Sequence, residues 1–222
     1  MRRIFYENGL SIVLFVLFAL TLLGQSFTGL SEYNEDQREH GQPAVGYAEY
    51  LGTGHFIEAT FENWESEFLQ MAAFVVLTAF LYQKGSSESK DPGRVEEVDT
   101  RLLPEDVPDD APWPVRRGGW VLTLYENSLS LAFVILFILS LALHAVGGVE
   151  EYNQDQVEHG RAGQQLSALG YMATSRFWFE SFQNWQSEFL SVFAMVVLTI
   201  FLRQRASPES KPVYESHAAT ER

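Results

Sequence analysis

Residues 9–30 have the sequence GLSIVLFVLFALTLLGQSFTGL, an uncharged apolar stretch that decides the class of fold. At about 1.5 Å per residue, a helix of this length covers about 33 Å, which is enough to cross the roughly 30 Å hydrocarbon core of a bilayer. Residues 128–149, SLSLAFVILFILSLALHAVGGV, form a second stretch of the same kind. An internal copy cannot be a secretory signal peptide, so the sequence predicts two permanent transmembrane helices.

Short polar motifs around these stretches occur twice. The motif YEN begins at Tyr6 and at Tyr125, an offset of 119 (125 minus 6), and NW begins at Asn63 and Asn184, an offset of 121 (184 minus 63). Each copy also has a shorter apolar stretch that covers only about 22 Å, so its helix must begin upstream of that stretch. The sequence therefore predicts an all-α integral membrane fold with four transmembrane helices. These form two tandem two-helix repeats with pseudo-two-fold symmetry along the membrane normal.

The repeats divide the chain into four segments. The first repeat covers residues 1–82, with spans at 9–30 and 61–82, and the second covers residues 120–205, with spans at 128–149 and 182–203. Residues 83–119 are rich in Pro, Asp, Glu, Ser and Gly, a composition that predicts a flexible acidic linker. Residues 206–222 are similar and predict a disordered tail.

The formal net charge of −14 is unevenly distributed. Basic residues such as Arg2, Lys84 and Arg203 flank one set of span ends, whereas Arg38 is the only Lys or Arg in residues 31–62. The positive-inside rule therefore predicts cytoplasmic termini, a cytoplasmic linker and two acidic loops outside. An acidic chain argues against a nucleic-acid partner, and the absence of cysteine excludes disulfides, thiolate metal sites and cysteine nucleophiles.

A polar decapeptide follows each long apolar stretch, EYNEDQREHG at residues 32–41 and EYNQDQVEHG at residues 151–160. Gly41 and Gly160 are predicted C-caps, so each decapeptide should extend its helix about 15 Å into the outer aqueous space. On a helix, positions i, i+4 and i+8 share one face, and carboxylates with an imidazole suit Zn, Mn or Fe. The predicted divalent-metal ligands are Glu32, Asp36, His40, Glu151, Asp155 and His159, with Glu39 and Glu158 beside them. The alternatives are a solvated helix face and a docking surface.

Four polar residues, one from each span, are predicted at the same depth in the outer third of the bilayer: Gln25, Glu67, His144 and Glu188. An ionisable group at this depth is costly and is a functional candidate. In a four-helix bundle these residues would form a buried hydrogen-bonded cluster or a proton or cation site. The alternative is that they only join the helices structurally.

Six further residues have predicted roles at helix ends or between helices: Glu7, Asn8, Asn63, Glu126, Asn127 and Asn184. Asn8 and Asn127 precede spans one and three and are predicted N-caps, while Glu7 and Glu126 favour the positive end of each helix. The other two asparagines are predicted to lie within helices, where their amides can bond across the bundle.

Three motifs carry a family resemblance: YENGLS with YENSLS, EYNxDQxxHG, and NWxSEFL. They resemble motifs of a family of uncharacterised bacterial integral membrane proteins, over nearly the whole chain apart from the linker and the tail. The resemblance implies a location in the bacterial cytoplasmic membrane and brings no activity with it.

The sequence has no glycine-rich phosphate loop, no nucleophile elbow and no HExxH motif. We therefore expect a non-enzymatic multi-pass protein that binds an ion, a small ligand or a partner protein through its paired outer helices and polar cluster. The lipid bilayer is one expected partner, and a membrane protein or a second copy of the chain is another. Two alternatives stay open: a metal-dependent membrane enzyme or redox protein, and a small proton or cation pathway through Glu67, His144 and Glu188.

Overall fold

A computed structural model describes residues 2–100 and 107–219. Its α-helices are α1 (Arg2–Glu39), α2 (Tyr47–Tyr50), α3 (Gly54–Phe80), α4 (Trp113–Arg117), α5 (Gly119–Glu126), α6 (Ser128–Glu158), α7 (Ala168–Met172) and α8 (Ser175–Phe201). The helix content is 71%, and the described residues contain no β-strand. The predicted all-α class is therefore confirmed.

Three helices, α1, α6 and α8, are long and apolar enough to cross a membrane. In the most apolar window of each helix, only 6%, 17% and 6% of the residues are buried within the protein. Large apolar side chains such as Leu14, Phe15 and Ile135 are therefore exposed. A protein in water rarely exposes so much contiguous apolar surface, whereas hydrocarbon accommodates it without cost. These helices indicate a membrane protein.

The helices α3 and α8 begin well upstream of their apolar stretches, at Gly54 and Ser175. Their starts precede residues 61 and 182, where the predicted spans begin. The first turns of α3 carry polar side chains, including His55 and Glu58. Each of these helices therefore combines a polar first part with an apolar second part.

The helices α1 and α6 end in the same hydrogen-bonded motif. After α1, Gly41 has a φ of +72°. Its N–H donates to the carbonyl oxygen of Arg38 at 3.1 Å, and the following N–H donates to the carbonyl oxygen of Gln37 at 2.7 Å. These bonds and the left-handed glycine form a Schellman C-cap. Gly160, with a φ of +69°, ends α6 with the equivalent two bonds.

The chain divides into two compact units. The first unit comprises Met1–Phe61 and Ala142–Phe177, and the second comprises Glu62–Leu141 and Trp178–Arg222. The helices α3, α6 and α8 contribute residues to both units. Each unit is described separately below.

In the first unit, glycines allow α3 and α6 to approach closely. A Cβ atom on Gly147 would overlap the backbone nitrogen of Glu58 and lie 2.9 Å from Cγ2 of Ile57. A Cβ atom on Gly54 would lie 2.7 Å from the carbonyl oxygen of Gly147. Small residues permit this backbone contact, as they do in other membrane helix pairs. The crossing holds the start of α3 beside the start of the second decapeptide.

An asparagine in each decapeptide fastens the following loop to its helix. The Asn34 side chain donates to the carbonyl oxygen of Val45 at 3.1 Å and accepts from its N–H at 2.7 Å. Asn153 makes the same pair of bonds with Leu166, at 2.9 and 2.7 Å. These paired bonds turn both loops back along their helices.

In the second unit, polar contacts join α3 to α8. Glu65 is fully buried, and its Oε1 accepts hydrogen bonds from Ser181 Oγ at 2.9 Å and Trp185 Nε1 at 3.2 Å. Gln70 Nε2 lies 3.4 Å from the carbonyl oxygen of Glu188, to which it donates. The acid that anchors this helix pair is therefore Glu65.

The linker and tail have local hydrogen bonds where the structure describes them, although their composition predicts flexibility. The N–H of Gln83 donates to Ser89 Oγ at 2.7 Å, and the N–H of Gln204 donates to Ser210 Oγ at 2.8 Å. Lys211 is 1% exposed, and its ammonium donates to the carbonyl oxygens of Ser216, His217 and Ala219. Side-chain to backbone bonds of this kind define turns without an apolar core. Residues 101–106 of the linker and 220–222 of the tail lie outside the described residues.

Candidate cation site

A polar cavity of about 430 Å³ lies in the first unit. The last turns of α1 and α6 contribute most of its lining, and the first turns of α3 and α8 contribute one residue each. Because both decapeptides line the same cavity, their polar faces converge. The lining residues are Glu32, Tyr33, Glu35, Asp36, Glu39, His40, His55, Glu151, Gln154, Asp155, Glu158 and Arg176.

The charge of this lining favours a cation. Seven acidic side chains face one guanidinium and two imidazoles, and burial raises the pKa of one of the seven, Glu151, to about 7. The volume exceeds the roughly 30 Å³ that one water occupies in the liquid, so an ion fits together with several water ligands. An anion would meet repulsion from most of the wall.

Five of the six predicted metal ligands line the cavity, namely Glu32, Asp36, His40, Glu151 and Asp155. The sixth, His159, is outside the lining. Its Nδ1 lies 3.0 Å from Asp155 Oδ1 on the same helix, and 56% of its side chain is exposed. The two decapeptide histidines therefore have different surroundings.

Asp36, His40 and Glu158 form a close group of ligand atoms in the cavity. One ligand atom from each residue lies within 4.8 Å of the others. His40 Nδ1 is 3.4 Å from Asp36 Oδ1 and 3.8 Å from Glu158 Oε2. The group joins α1 to α6, so it exists only because the two helix ends pack side by side.

The surroundings of His40 determine which ring nitrogen donates and raise its pKa. Its Nδ1 lies 3.0 Å from the carbonyl oxygen of Asp36, and this hydrogen bond raises the pKa of His40 above its ordinary value. The carboxylates of Asp36 and Glu158 raise the pKa further. A neutral imidazole that donates from Nδ1 leaves the Nε2 lone pair for a metal.

His55 lines the cavity from α3 and lies in an aromatic setting. Its Nδ1 is 3.1 Å from the Tyr50 hydroxyl, and its ring centroid is 5.6 Å from that of Tyr33. Burial lowers the pKa of His55 and raises the pKa of Tyr50 to about 12. His55 is therefore neutral at a pH where His40 still takes up a proton. His55 is not among the predicted ligands because it lies outside both decapeptides.

Arg176 lines the cavity from α8 and was also missed. Its Nη1 lies 3.9 Å from Asp155 Oδ2, and its guanidinium carbon lies 5.9 Å from the ring centroid of Tyr152. The repeat links these two residues in the sequence. The offset of 121 that matches the NW motifs also matches His55 with Arg176 (176 minus 55), so both hold the same position in their copies.

The predicted intramembrane cluster is distributed over both units. In the first unit, Gln25 Nε2 donates to Thr60 Oγ1 at 3.3 Å, and the buried His144 ring stacks on Phe177 with centroids 4.7 Å apart. In the second unit, Glu67 is exposed and Glu188 is partly exposed. The convergence of all four residues stays a prediction. Sequence reasoning chose Glu67 within NWESEFL, whereas Glu65 is the buried acid of that motif.

A buried pair in the first unit was not predicted either. The Tyr171 hydroxyl donates to Glu58 Oε1 at 3.1 Å, and a ligand atom of His144 lies within 4.8 Å of one on Glu58. Tyr171 is fully buried and Glu58 is 8% exposed. The sequence signal was weak, because Glu58 has no acidic equivalent at either offset.

The two predicted N-cap asparagines donate side-chain hydrogen bonds to carbonyl oxygens four residues earlier in the chain. Asn8 lies at a kink inside α1, with φ −127° and ψ 18°, and its Nδ2 donates to the carbonyl oxygen of Ile4. Asn127 follows α5, and its Nδ2 donates to the carbonyl oxygen of Thr123. Both amides complete the preceding turn, whereas an N-cap bonds forward. The reason is that helix already precedes each asparagine, so each marks a junction between helical segments.

The other residues of this group have local contacts. Glu7 pairs with Arg3 at 2.7 Å, and Glu126 is the exposed last residue of α5. Asn63 and Asn184 lie within α3 and α8 as predicted by the early helix starts. The Asn184 amide donates to the carbonyl oxygen of Glu180 at 3.1 Å.

Residues 1–222 match a family model described as "Domain of unknown function (DUF6766)". No curated protein and no solved structure matches the chain.

Proposed function

The chain belongs to this family, and we propose that it is a four-span membrane protein that binds a divalent cation in the cavity lined by its two decapeptides. The group formed by Asp36, His40 and Glu158, with ligand atoms within 4.8 Å of one another, carries the proposal. Two carboxylates and an imidazole suit Zn²⁺, Mn²⁺ or Fe²⁺, and water completes the coordination. The carboxylates around this group supply the negative potential that attracts the ion.

In this proposal α3 is the fourth span. Its second part, residues 68–80, is apolar, and Trp64 precedes it at a position suited to the aromatic belt at the membrane surface. Four crossings place both chain ends on one side. The matching bonds of Asn34 and Asn153, and the matching C-caps at Gly41 and Gly160, support a duplicated two-helix unit.

We place the chain in the bacterial cytoplasmic membrane, with both termini inside and the cavity outside. The distribution of Lys and Arg supports this orientation. The chain has no cysteine, so single cysteines at the exposed positions Gln42 and Lys84 report the topology directly. In intact cells an impermeant maleimide should label Gln42→Cys only. Labelling of Lys84→Cys alone would show that the orientation is opposite to the proposed one.

The exposed apolar faces of α1, α6 and α8 meet lipid, a membrane protein partner or a second copy of the chain. We assign the protein a binding role because carboxylates and imidazoles from both decapeptides and from α3 converge on one cavity. The exposure of Asp36 and His40 favours one second candidate, a metal-dependent enzyme, because a catalytic metal keeps an open coordination position.

Metal binding by the detergent-purified full-length chain tests the proposal. Protein prepared without chelator is analysed for Zn, Mn and Fe, and the apo form is titrated calorimetrically with Zn²⁺ and Mn²⁺. We expect His40→Ala to lower the affinity about tenfold or more, a loss typical of a disrupted metal site. His159→Ala is the matched control, since this histidine lies outside the lining, and it should bind like the unchanged protein.

Two results contradict the proposal. One is an unchanged protein that binds neither ion. The other is an equal loss of affinity in His40→Ala and His159→Ala, because the structure gives these two histidines different positions relative to the cavity.

A further inference from the structure

The two halves of the cavity differ in formal charge at two matched positions, Glu35 against Gln154 (154 minus 35 is 119) and His55 against Arg176. The offset of 119 matches Asp36 with Asp155, His40 with His159 and Glu39 with Glu158 (155 minus 36, 159 minus 40 and 158 minus 39). The decapeptides thus offer two related ligand sets, one for each half of the cavity. Outside the decapeptides, the first half has His55 where the second half has Arg176.

We infer that the permanent positive charge of Arg176 keeps metal ions out of the second half of the cavity. The protein then binds one divalent ion, in the half formed by Asp36, His40 and Glu158. This inference rests on the proposed function. It makes Arg176 a determinant of stoichiometry that touches no metal itself, because a guanidinium has no lone pair to donate.

The geometry of the second half supports this assignment. Asp36, His40 and Glu158 form a group with ligand atoms within 4.8 Å, whereas the related residues Asp155, His159 and Glu39 form no such group within residues 2–100 and 107–219. The Asp155 carboxylate instead faces Arg176 at 3.9 Å. Both histidines bond through Nδ1 to the carbonyl oxygen four residues earlier, but His159 lies outside the lining and only His40 also faces a carboxylate of the other helix, Glu158 at 3.8 Å.

Charge explains why the second half should stay free of metal. A guanidinium keeps its charge at every physiological pH, so it repels a divalent ion that approaches Asp155. The same guanidinium partly neutralises the carboxylates that would attract that ion. Across the cavity, His55 presents an imidazole, which carries no fixed charge and is itself a metal ligand.

Substitution of the arginine by its counterpart tests the inference. In Arg176→His, both halves offer a histidine at the matched position, and we expect calorimetric titration of the apo protein with Zn²⁺ to give two ions per chain instead of one. Addition of Asp155→Ala to this variant should restore a stoichiometry of one, because Asp155 is the lining carboxylate that Arg176 faces. Arg161→His is the matched control, because Arg161 is exposed and outside the lining, and it should leave the stoichiometry at one.

The outcomes separate the inference from the proposed function. If the unchanged protein and Arg176→His both bind one ion, the role of Arg176 is wrong and the site stands. Two ions in the unchanged protein would also overturn that role. If neither protein binds Zn²⁺, the proposed function fails and the inference falls with it.

Two further variants test the inference if Arg176→His does not fold. Arg176→Gln removes the charge with a small change in side-chain polarity, and we expect it to admit a second, weaker ion. His55→Arg places a guanidinium in the first half, and we expect it to lower the affinity for the single ion about tenfold or more by charge repulsion. An unchanged affinity in His55→Arg together with a stoichiometry of one in Arg176→Gln would overturn the inference.

Discussion

Gly147→Ala should destabilise the first unit through the contact between α3 and α6. The added methyl group would overlap the backbone nitrogen of Glu58 and lie 2.9 Å from Cγ2 of Ile57, where carbon atoms prefer about 3.5–4.0 Å. Backbone cannot rotate away as a side chain can, so the two helices must separate. Overpacking of this kind costs about 1–3 kcal/mol, and the helix propensity of alanine over glycine returns about 1 kcal/mol.

Gly24→Ala is the control that isolates the overlap. Gly24 lies within α1, and a Cβ atom there would meet nothing within 4 Å. This variant should gain only the propensity of about 1 kcal/mol. Both variants gain that propensity, so the overlap alone makes Gly147→Ala less stable than Gly24→Ala by about 1–3 kcal/mol.

Reversible unfolding in mixed detergent micelles measures the free energy of unfolding of both variants. Gly54→Ala provides a second test of the same crossing, because its Cβ atom would lie 2.7 Å from the carbonyl oxygen of Gly147. A Gly147→Ala protein as stable as Gly24→Ala would refute the close approach of α3 and α6.

The further predictions concern three side chains, His40, Glu65 and Lys211. The pKa of His40 is raised above 6.5, so protons compete with the metal, and Zn²⁺ affinity should fall as the pH drops through that raised pKa in a calorimetric series. Stability without metal has the opposite sign, because the contribution of protonated His40 is complete below pH 6.5 and is lost as the pH rises through its raised pKa. Glu65→Ala should cost about 1–3 kcal/mol of unfolding free energy, since it removes the acceptor of the buried Ser181 hydroxyl and the half-buried Trp185 N–H, whereas Glu65→Gln keeps an acceptor and should cost less. Lys211→Met removes three hydrogen bonds to tail carbonyl oxygens and should speed chymotrypsin cleavage of the tail, while the exposed Lys84→Met should not.

For each of the three side chains, one result would contradict the role given to it. A Zn²⁺ affinity that stays constant between about pH 5.5 and 8 would remove His40 from the site. Equal stability of the two Glu65 variants would show that its acceptor role is unimportant. Equal cleavage of the Lys211 and Lys84 variants would show that the buried ammonium does not hold the tail.

The sequence predicts the helices of this protein better than their packing. Apolar length and the glycine caps are local properties, so the ends of α1 and α6 at Gly41 and Gly160 follow from them. The convergence of the decapeptides depends on which faces of α1 and α6 meet. That choice is made by contacts far apart in sequence, such as the Tyr33 hydroxyl with Gln154 Oε1 at 3.4 Å. Local periodicity contains no such information.

In the candidate site, too, the spacing of residues along one helix is predictable from the sequence and the packing between helices is not. Helical spacing predicts that Glu32, Asp36 and His40 share a face, because i and i+4 positions are neighbours on any helix. It cannot predict that His55 joins them, since this residue reaches the cavity only through the fold of the loop before α3. The choice of Glu67 over Glu65 has a related cause, because two acids on adjacent helix faces have equal hydropathy and only packing distinguishes them.

The course of α1 favours retention of an ion over its conduction. Beyond the cavity, this helix exposes Leu14, Phe15 and other apolar side chains along the stretch that crosses the bilayer. The hydroxyl of Thr21 lies in the same stretch but donates to carbonyl oxygens of its own helix, at 2.9 Å to both Leu17 and Phe18. One hydroxyl among these exposed apolar side chains does not form a continuous polar lining, so an ion on this face of α1 would lose its hydration without compensation. In the proposed function, a cation that enters the cavity meets carboxylates of both decapeptides. This arrangement suits a protein that holds its ion at the membrane surface.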